Sequence, residues 1–337
     1  MEQEFLSRLT AFFIGRNSMT TRYLDEYRHY SSMDWASKAT KALQKAVDNG
    51  EPNAGIWQMW EDFKSADADY ETMLKSAEKC TDIRVAELLA FDALLNNRPM
   101  GDILTLLVSK GHVEAKQIQD CEQTKVELPV DTLDSRIDLA LRDGFLDGTE
   151  CDYLLQMAAP LLVRATVVDP DTGERILDPV RTGFVARVKP ENQTLFGLYI
   201  QSKLCQQQGV GLEQAEMLNV IEYTNGNEYK AHYDAFNLSR SGAEDAIRDG
   251  GQRTKTGIVC LTSALKGGAT RFEALKQEVT LKAGQLLTFK NVNEDRNVNR
   301  LSLHCGTPVE NGKKVIATQW CREKTTDYYR SLKELVY

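Results

Sequence analysis

The sequence lacks the features of membrane proteins, of secreted disulfide-rich proteins and of nucleic-acid-binding proteins. No run approaches the ~18 consecutive apolar residues of a membrane span, and Met1–Thr20 has no basic start followed by a long apolar core of a signal peptide. The 7 cysteines form no CxxC pair, and such an odd, unpatterned set indicates reduced thiols. The net charge of -8 argues against a nucleic-acid partner, which would require a basic face. We therefore expect a cytoplasmic protein that binds neither membrane nor nucleic acid.

The length and composition predict two folded domains. A chain of 337 residues exceeds the usual size of one domain, and 42% hydrophobic residues with 27% charged residues are enough for a sizeable core. The segment Leu128–Ser135 interrupts the helical pattern, so we place the boundary there: an all-α domain over 1–135 and a second domain over 136–337.

The first domain has apolar residues at helical spacing. Helices are predicted at Trp35–Val47, Ala54–Phe63 and Ile83–Leu95, where good helix formers separate the apolar positions. Two helix-like segments end at Lys45–Gly50 and at Lys75–Cys80, about one repeat length apart. The domain could therefore consist of short helical-pair repeats or be an irregular helical bundle. The domain could dock a protein substrate, form a homodimer or simply pack.

The second domain opens with a helix after Asp147, which has a cap-rich, acidic start. From about Met217 the pattern changes to short strands rich in β-branched and aromatic residues. Eight are predicted: Met217–Thr224, Lys230–Phe236, Thr256–Ala264, Thr270–Leu275, Glu278–Ala283, Gln285–Val292, Leu301–Val309 and Lys313–Glu323. Such a series favours a jelly roll or barrel, and the fold class is α+β.

One pattern within these strands indicates metal chemistry. His232 and Asp234 are two residues apart in a predicted strand, so their side chains should face the same point. His304 lies in a later strand, and two histidines with one carboxylate form the facial triad of non-haem iron(II) oxygenases. A structural zinc site is the alternative, but such sites favour cysteine-rich closed sets, and Cys305 should face the opposite side of its strand.

Several spaced segments resemble the prolyl 4-hydroxylase family of 2-oxoglutarate dioxygenases. Residues Tyr223–Asp234 are similar to its Y-x-x-G-x-x-Y-x-x-H-x-D segment, and Gly250–Arg253 to its G-G-Q-R. Gly267–Phe272 is similar to G-G-E-T-x-F, and Ser302–Val309 to S-L-H-x-G-x-P-V, with Lys314 ten residues past the distal histidine. A weaker likeness extends upstream to Phe145, and none covers the first 135 residues. The resemblance implies a double-stranded β-helix (jelly-roll) catalytic domain behind the all-α domain.

The resemblance also implies a role for each matching residue. His232, Asp234 and His304 would bind Fe(II), and Lys314 would pair with the distal carboxylate of 2-oxoglutarate, with Tyr223 and Thr270 donating hydrogen bonds to it. A solvated strand position is the alternative for Lys314, but the adjacent Lys313 fits it better. The residues implied to face the primary substrate are Tyr229, Arg253, Trp320 and Arg181. Trp320 could instead be core, and Arg253 a structural ion-pair partner. Ascorbate is a further cofactor candidate.

The chain departs from the family pattern around the pocket rather than at the ligands. Cys260 stands where an aromatic is usual, Val315 replaces the aromatic after the lysine, and the 235–249 loop is polar and extended. The expected reaction, with molecular oxygen, is hydroxylation of an aliphatic C–H of proline or a related amino-acid unit, free or carrier-bound. The alternatives are a peptidyl prolyl hydroxylase whose N-terminal domain docks a protein, and a non-catalytic jelly-roll binding module.

Overall fold

A computed structural model describes residues 22–33, 36–51, 54–55, 57–58, 61, 70–80, 82–124, 129–168, 175–177, 180–239 and 243–336. These residues form two compact units, Met1–Gln123 with Leu332–Tyr337, and Thr124–Ser331. The expected boundary at residue 135 stays a prediction. In the described part of the chain, no helix is both long and apolar enough to cross a membrane.

The described residues of the first unit up to residue 123 are helical and contain no strand. The helices are α1 (Arg22–Ser32), α2 (Ala36–Asp48), α3 (Tyr70–Lys79), α4 (Ile83–Leu95), α5 (Gly101–Ser109) and α6 (Val113–Thr124). The helix predicted at Ile83–Leu95 is confirmed as α4, and that at Trp35–Val47 corresponds to α2. Much of the predicted Ala54–Phe63 helix lies outside the described residues.

Packing explains why these segments are helical. In α2 the buried residues Ala39, Ala42, Leu43 and Ala46 recur at helical spacing and face α1. In α4 the Asp82 side chain accepts a hydrogen bond from the Arg84 N–H, which caps a first-turn donor. The homodimer through this unit, expected from sequence, stays a prediction.

Among its described residues, the second unit contains four α-helices: α7 (Gly148–Ala158), α8 (Leu195–Gln207), α9 (Ala243–Arg248) and α10 (Asp327–Val336), the last of which begins here. The helix predicted after Asp147 is confirmed as α7. Its first turn has a capping box, in which Asp147 accepts from the Glu150 N–H and Glu150 accepts from the Asp147 N–H.

The strands of this unit pair antiparallel. They are β1 (Val130–Asp134), β2 (Leu139–Arg142), β3 (Val163–Arg164), β4 (Thr166–Val168), β5 (Arg175–Leu177), β6 (Phe184–Arg187), β7 (Asn219–Tyr223), β8 (Tyr229–His232), β9 (Arg253–Thr262), β10 (Lys266–Gly267), β11 (Thr270–Phe272), β12 (Gln277–Val279), β13 (Leu286–Lys290), β14 (His304–Gly306), β15 (Val309–Asn311) and β16 (Lys314–Arg322). The larger sheet has the order β1-β2-β13-β9-β16-β7-β6-β3, and a second sheet has the order β12-β11-β14-β8. Two-stranded sheets β4-β5 and β10-β15 complete the set.

One core cluster draws side chains from both of the larger sheets. Ile221, Ile258 and Phe289 come from the eight-stranded sheet, and Phe272 and Val279 from the four-stranded sheet. Because the cluster contains side chains from both sheets, residues at their facing ends can line a common cavity.

The eight predicted strands all have counterparts, seven of them shorter than predicted, whereas β9 begins earlier, at Arg253, and is one residue longer than its prediction. The prediction missed β1–β6, which precede Met217, and the short pair β10 and β15. It was also wrong about the end of the Lys230–Phe236 strand, because β8 ends at His232. The Phe236 main chain bonds to the Gln252 side chain, through N–H···Oε1 at 2.7 Å and Nε2–H···O at 2.8 Å, instead of to a neighbouring strand.

Candidate active site

Three side chains predicted to bind a metal converge in the second unit. His304 on β14 is the cross-strand partner of His232 on β8, and their rings lie 4.3 Å apart. Asp234 lies in the bend after β8, so its position follows from the turn of the chain and not from strand alternation. One donor atom from each of the three lies within 4.8 Å of the others. The structure therefore brings together the residues His232, Asp234 and His304.

Hydrogen bonds orient both imidazoles. His232 Nδ1 lies 2.8 Å from the Lys230 carbonyl oxygen, and His304 Nδ1 lies 2.9 Å from that of Ser302. A carbonyl oxygen only accepts, so each Nδ1 carries the proton and each Nε2 presents a lone pair. The two Nε2 atoms lie 3.4 Å and 3.8 Å from the oxygens of Asp234. This tautomer and the open face of the group suit a metal ion.

The charge states of Asp234 and His304 suit the binding of a metal ion. Burial opposes ionisation of Asp234, but His304, His232 and the hydroxyl of Thr256 outweigh it and hold the pKa of Asp234 well below its usual range. Burial lowers the pKa of His304 to about 4, although Asp234 acts in the opposite direction. A carboxylate beside a neutral imidazole is the donor set that iron(II) takes in facial-triad sites.

A small cavity of about 30 Å³ opens from these three residues into the space between the sheets. Its wall includes Tyr223, Thr270 and Lys314, the three residues predicted to hold the co-substrate carboxylate. Tyr223 and Lys314 are cross-strand partners on β7 and β16, and Thr270 begins β11. The structure thus places the predicted anchor residues in the same cavity as the predicted ligands.

Lys314 is a buried cation in this cavity. The residue is 5% exposed, and burial lowers its pKa to about 8, with Cys260 opposing the effect. Within the described residues, its Nζ donates one hydrogen bond, of 2.6 Å, to the main-chain oxygen of Gly268. A desolvated ammonium with donors to spare fits a carboxylate. Lys313 is instead half-exposed and pairs with Glu222 at 3.2 Å, as the sequence suggested.

The four residues predicted to face the primary substrate fall into two groups. Tyr229 and Trp320 line the cavity, and Tyr229 stacks on the His232 ring at 3.6 Å. Arg253 and Arg181 do not line it. The Arg253 guanidinium makes a two-point ion pair with Glu216, at 2.6 and 2.8 Å, and lies 4.0 Å from the centre of the Trp320 ring.

Arg181 lies over the other aromatic of this wall. Arg181 is buried and forms an isolated antiparallel β-bridge with Tyr229. Its guanidinium carbon lies 5.5 Å from the centre of the Tyr229 ring. Each arginine therefore contacts one aromatic residue of the cavity wall. The indole N–H of Trp320 is buried and has no hydrogen-bond partner among the described residues.

An open groove, about 1230 Å³ in volume, adjoins the predicted metal ligands at His232. Its lining includes the apolar side chains of Val180, Phe236 and Leu238 and several residues of the segment 293–303, among them Asn293, Asn297 and Asn299. The extended 235–249 loop was expected near the pocket, but the segment 293–303 was not predicted, and its three asparagines were its only signal.

Comparison with known proteins agrees with this geometry. Residues 218–322 match the family model of the 2OG-Fe(II) oxygenase superfamily. Prolyl 4-hydroxylase 2 of Arabidopsis thaliana is 31% identical over 209 residues, which cover 55% of this chain and 67% of the relative. A putative prolyl 4-hydroxylase of Acanthamoeba polyphaga mimivirus is 28% identical over 183 residues, or 54% and 73% of the two chains.

Among solved structures, the viral collagen prolyl hydroxylase of Paramecium bursaria Chlorella virus-1 in its 2OG complex is 27% identical. The similarity covers 54% of this chain and 94% of that one, with a TM-score of 0.42.

The site and the superfamily match define an iron(II)- and 2-oxoglutarate-dependent oxygenase. The identity of 31% extends over two thirds of the plant enzyme and narrows the assignment to one family within this superfamily. The chain belongs to the prolyl 4-hydroxylase-like family of these dioxygenases.

Proposed function

We propose that this chain hydroxylates proline, or a closely related residue, within a polypeptide rather than as a free amino acid. The groove beside His232 carries this proposal, because its volume of about 1230 Å³ lies above the roughly 300–1,000 Å³ of small-molecule sites and the groove is open along its length. A free amino acid would leave most of such a surface empty, whereas an extended peptide could use its apolar side chains and its asparagine amides. The names of the relatives support proline as the residue.

The proposal assigns the cavity and the groove to different ligands. His232, Asp234 and His304 would hold iron(II), and Lys314 would bind the distal carboxylate of 2-oxoglutarate, with Tyr223 and Thr270 donating to the same group. Bound together, iron(II) and 2-oxoglutarate supply the oxygen chemistry. We propose further that the two larger sheets are the two faces of a jelly roll and that 22–123 belongs to a separate all-α domain.

The remaining residues would position the substrate. Tyr229 and Trp320 line the cavity beside the predicted ligands, and their aromatic rings suit contact with the ring of proline. Arg253 and Arg181 would act indirectly, because each guanidinium lies against one of these rings and restricts its movement.

Succinate release tests the substrate form directly. The enzyme, with iron(II) and 2-oxoglutarate, is given free L-proline or proline-containing peptides of increasing length, and product is identified by mass spectrometry. We expect turnover of peptides to exceed that of proline and to rise with length until the groove is filled. Equal or faster hydroxylation of free proline would favour the amino-acid hydroxylase instead.

Two exposed leucines provide a matched pair of variants. Leu238→Asp places a charge on the groove wall, and Leu265→Asp places one on a residue that is 81% exposed and does not line the groove. The first should raise KM for the peptide and leave KM for 2-oxoglutarate unchanged, and the second should change neither. Identical peptide kinetics for both variants would show that the peptide does not occupy this groove.

A further inference from the structure

The carboxylate of Asp234 is held by a buried relay of polar side chains. The Thr256 hydroxyl donates to Asp234 Oδ2 at 2.6 Å, and Asn291 Nδ2 donates to the same hydroxyl oxygen at 2.9 Å. Thr256 and Asn291 are both fully buried. Since the hydroxyl has one proton and a carboxylate is its strongest acceptor here, the Asn291 amide has to present its N–H to Thr256.

The relay continues to the second histidine through a short segment of main chain. The Asn299 N–H donates to the Asn291 carbonyl at 2.9 Å, and the Ser302 hydroxyl donates to the Asn299 carbonyl at 2.8 Å. The Ser302 carbonyl in turn accepts from His304 Nδ1 at 2.9 Å. Residues 291–302 therefore bond at one end to Thr256, the hydrogen-bond donor to Asp234, and at the other end to His304.

The direction of each bond limits what Asp234 can do. Oδ2 is occupied by the hydroxyl and lies 3.8 Å from His304, while Oδ1 faces His232 at 3.4 Å. A carboxylate fixed through one oxygen presents the other to a metal. Groups that fix a ligand in this way commonly contribute roughly 10- to 100-fold in metal affinity.

We infer that Thr256 and Asn291 are positioning residues, which fix the orientation of the Asp234 carboxylate that would bind the metal. The inference rests on the proposed metal site and adds two residues to it. Because Asn293 and Asn299 also line the groove, the same segment links the groove wall to two of the three ligands.

Metal affinity measures this role without turnover. Mn(II), which is redox-inert here, is titrated into the metal-free full chain without 2-oxoglutarate or substrate, and the free ion is followed by electron paramagnetic resonance. Thr256→Val keeps the shape and removes the hydroxyl, and we expect the dissociation constant to rise roughly 10- to 100-fold. Thr256→Ser restores the hydroxyl and should restore affinity to within about threefold.

Thr254 on the same strand supplies the matched control. Its hydroxyl donates to the main-chain oxygen of Cys321 at 3.3 Å, so Thr254→Val is the same substitution away from Asp234. It should leave Mn(II) affinity unchanged. Asn291→Ala should weaken binding less than Thr256→Val does, and the double variant should bind like Thr256→Val alone, because Asn291 acts through the hydroxyl.

Several results would overturn the relay. These are Mn(II) affinity unchanged in Thr256→Val, an equal loss in Thr254→Val, no rescue by serine, or fully additive losses in the double variant. If Thr256→Val does not fold, Asn291→Ala must still lower affinity without lowering the melting temperature of the metal-free chain by a comparable amount. A wild-type chain that binds no Mn(II) would instead refute the proposed metal site itself.

Discussion

Replacement of Lys314 by methionine should make the ligand-free protein more stable while it removes the co-substrate anchor. Lys314 is 5% exposed, and its ammonium donates to a single main-chain oxygen, that of Gly268, within the described residues. Methionine has a similar length and no charge, so it fills the same space without a buried cation. Stability and co-substrate affinity should therefore change in opposite directions.

The pKa gives the size of the effect on stability. Burial lowers the pKa of Lys314 from 10.5 to about 8, which corresponds to about 3 kcal/mol of folding free energy at about 1.4 kcal/mol per pKa unit. Between pH about 8 and about 10.5 the unfolded chain binds more protons than the folded chain does. The destabilisation caused by the buried ammonium is therefore complete below pH about 8 and disappears as the pH rises to about 10.5. Loss of the hydrogen bond to the Gly268 carbonyl oxygen lowers the free energy of unfolding by about 1–2 kcal/mol. We expect Lys314→Met to gain about 1–2 kcal/mol at neutral pH.

Denaturant unfolding and 2-oxoglutarate titration test both halves of this expectation. Loss of one partner of a buried charge pair costs about 2–5 kcal/mol, so the affinity for 2-oxoglutarate, measured with Mn(II) present, should fall at least ~30-fold. Lys313→Met is the control. Its half-exposed ammonium pairs with Glu222, and its loss should change stability by less than about 1 kcal/mol and leave affinity intact. A Lys314→Met protein that is less stable than wild type and binds 2-oxoglutarate equally well would refute the reasoning.

Three more predictions concern the same cavity. The affinity for 2-oxoglutarate should fall roughly tenfold between pH 7 and pH 9, because a lysine with a pKa of about 8 loses its proton over this range, and calorimetry of wild type beside Lys314→Met would show whether that group is responsible. Asp234→Ala should abolish both Mn(II) binding and succinate release while the far-ultraviolet circular dichroism spectrum is retained; turnover that survives would contradict the assignment of the ligand. Trp320→Ala should raise KM for the peptide with KM for 2-oxoglutarate unchanged, since it removes an aromatic ring that lines the cavity beside the predicted ligands, and an unchanged peptide KM would place the substrate elsewhere.

The ligands and the anchor were predictable from sequence because their signals are local. The residue types and spacing suggested that His232, Asp234 and His304 converge, although Asp234 reaches this point through the bend after β8 and not through strand alternation. The resemblance added Lys314. Features that depend on strand pairing were harder to predict from the sequence. The short strands upstream of Met217 are held by tertiary partners rather than by their own alternation, and β8 ends early because a glutamine side chain bonds to the main chain that follows. Thr256 was equally hidden, since a threonine in a strand is ordinary and only its contact with Asp234 distinguishes it.

The two ends of the cavity carry opposite charges that do not neutralise each other. Asp234 is stabilised by His304, His232 and Thr256, and the group that opposes the lowered pKa of Lys314 is Cys260 rather than Asp234. Each charge therefore requires its own partner: a divalent cation at Asp234 and an anion at Lys314. A carboxylate, an ammonium, Fe(II) and a dianionic 2-oxoglutarate sum to zero charge, so the full set can be buried at a lower electrostatic cost than either ligand alone. Metal and co-substrate should for this reason strengthen each other's binding by the same factor.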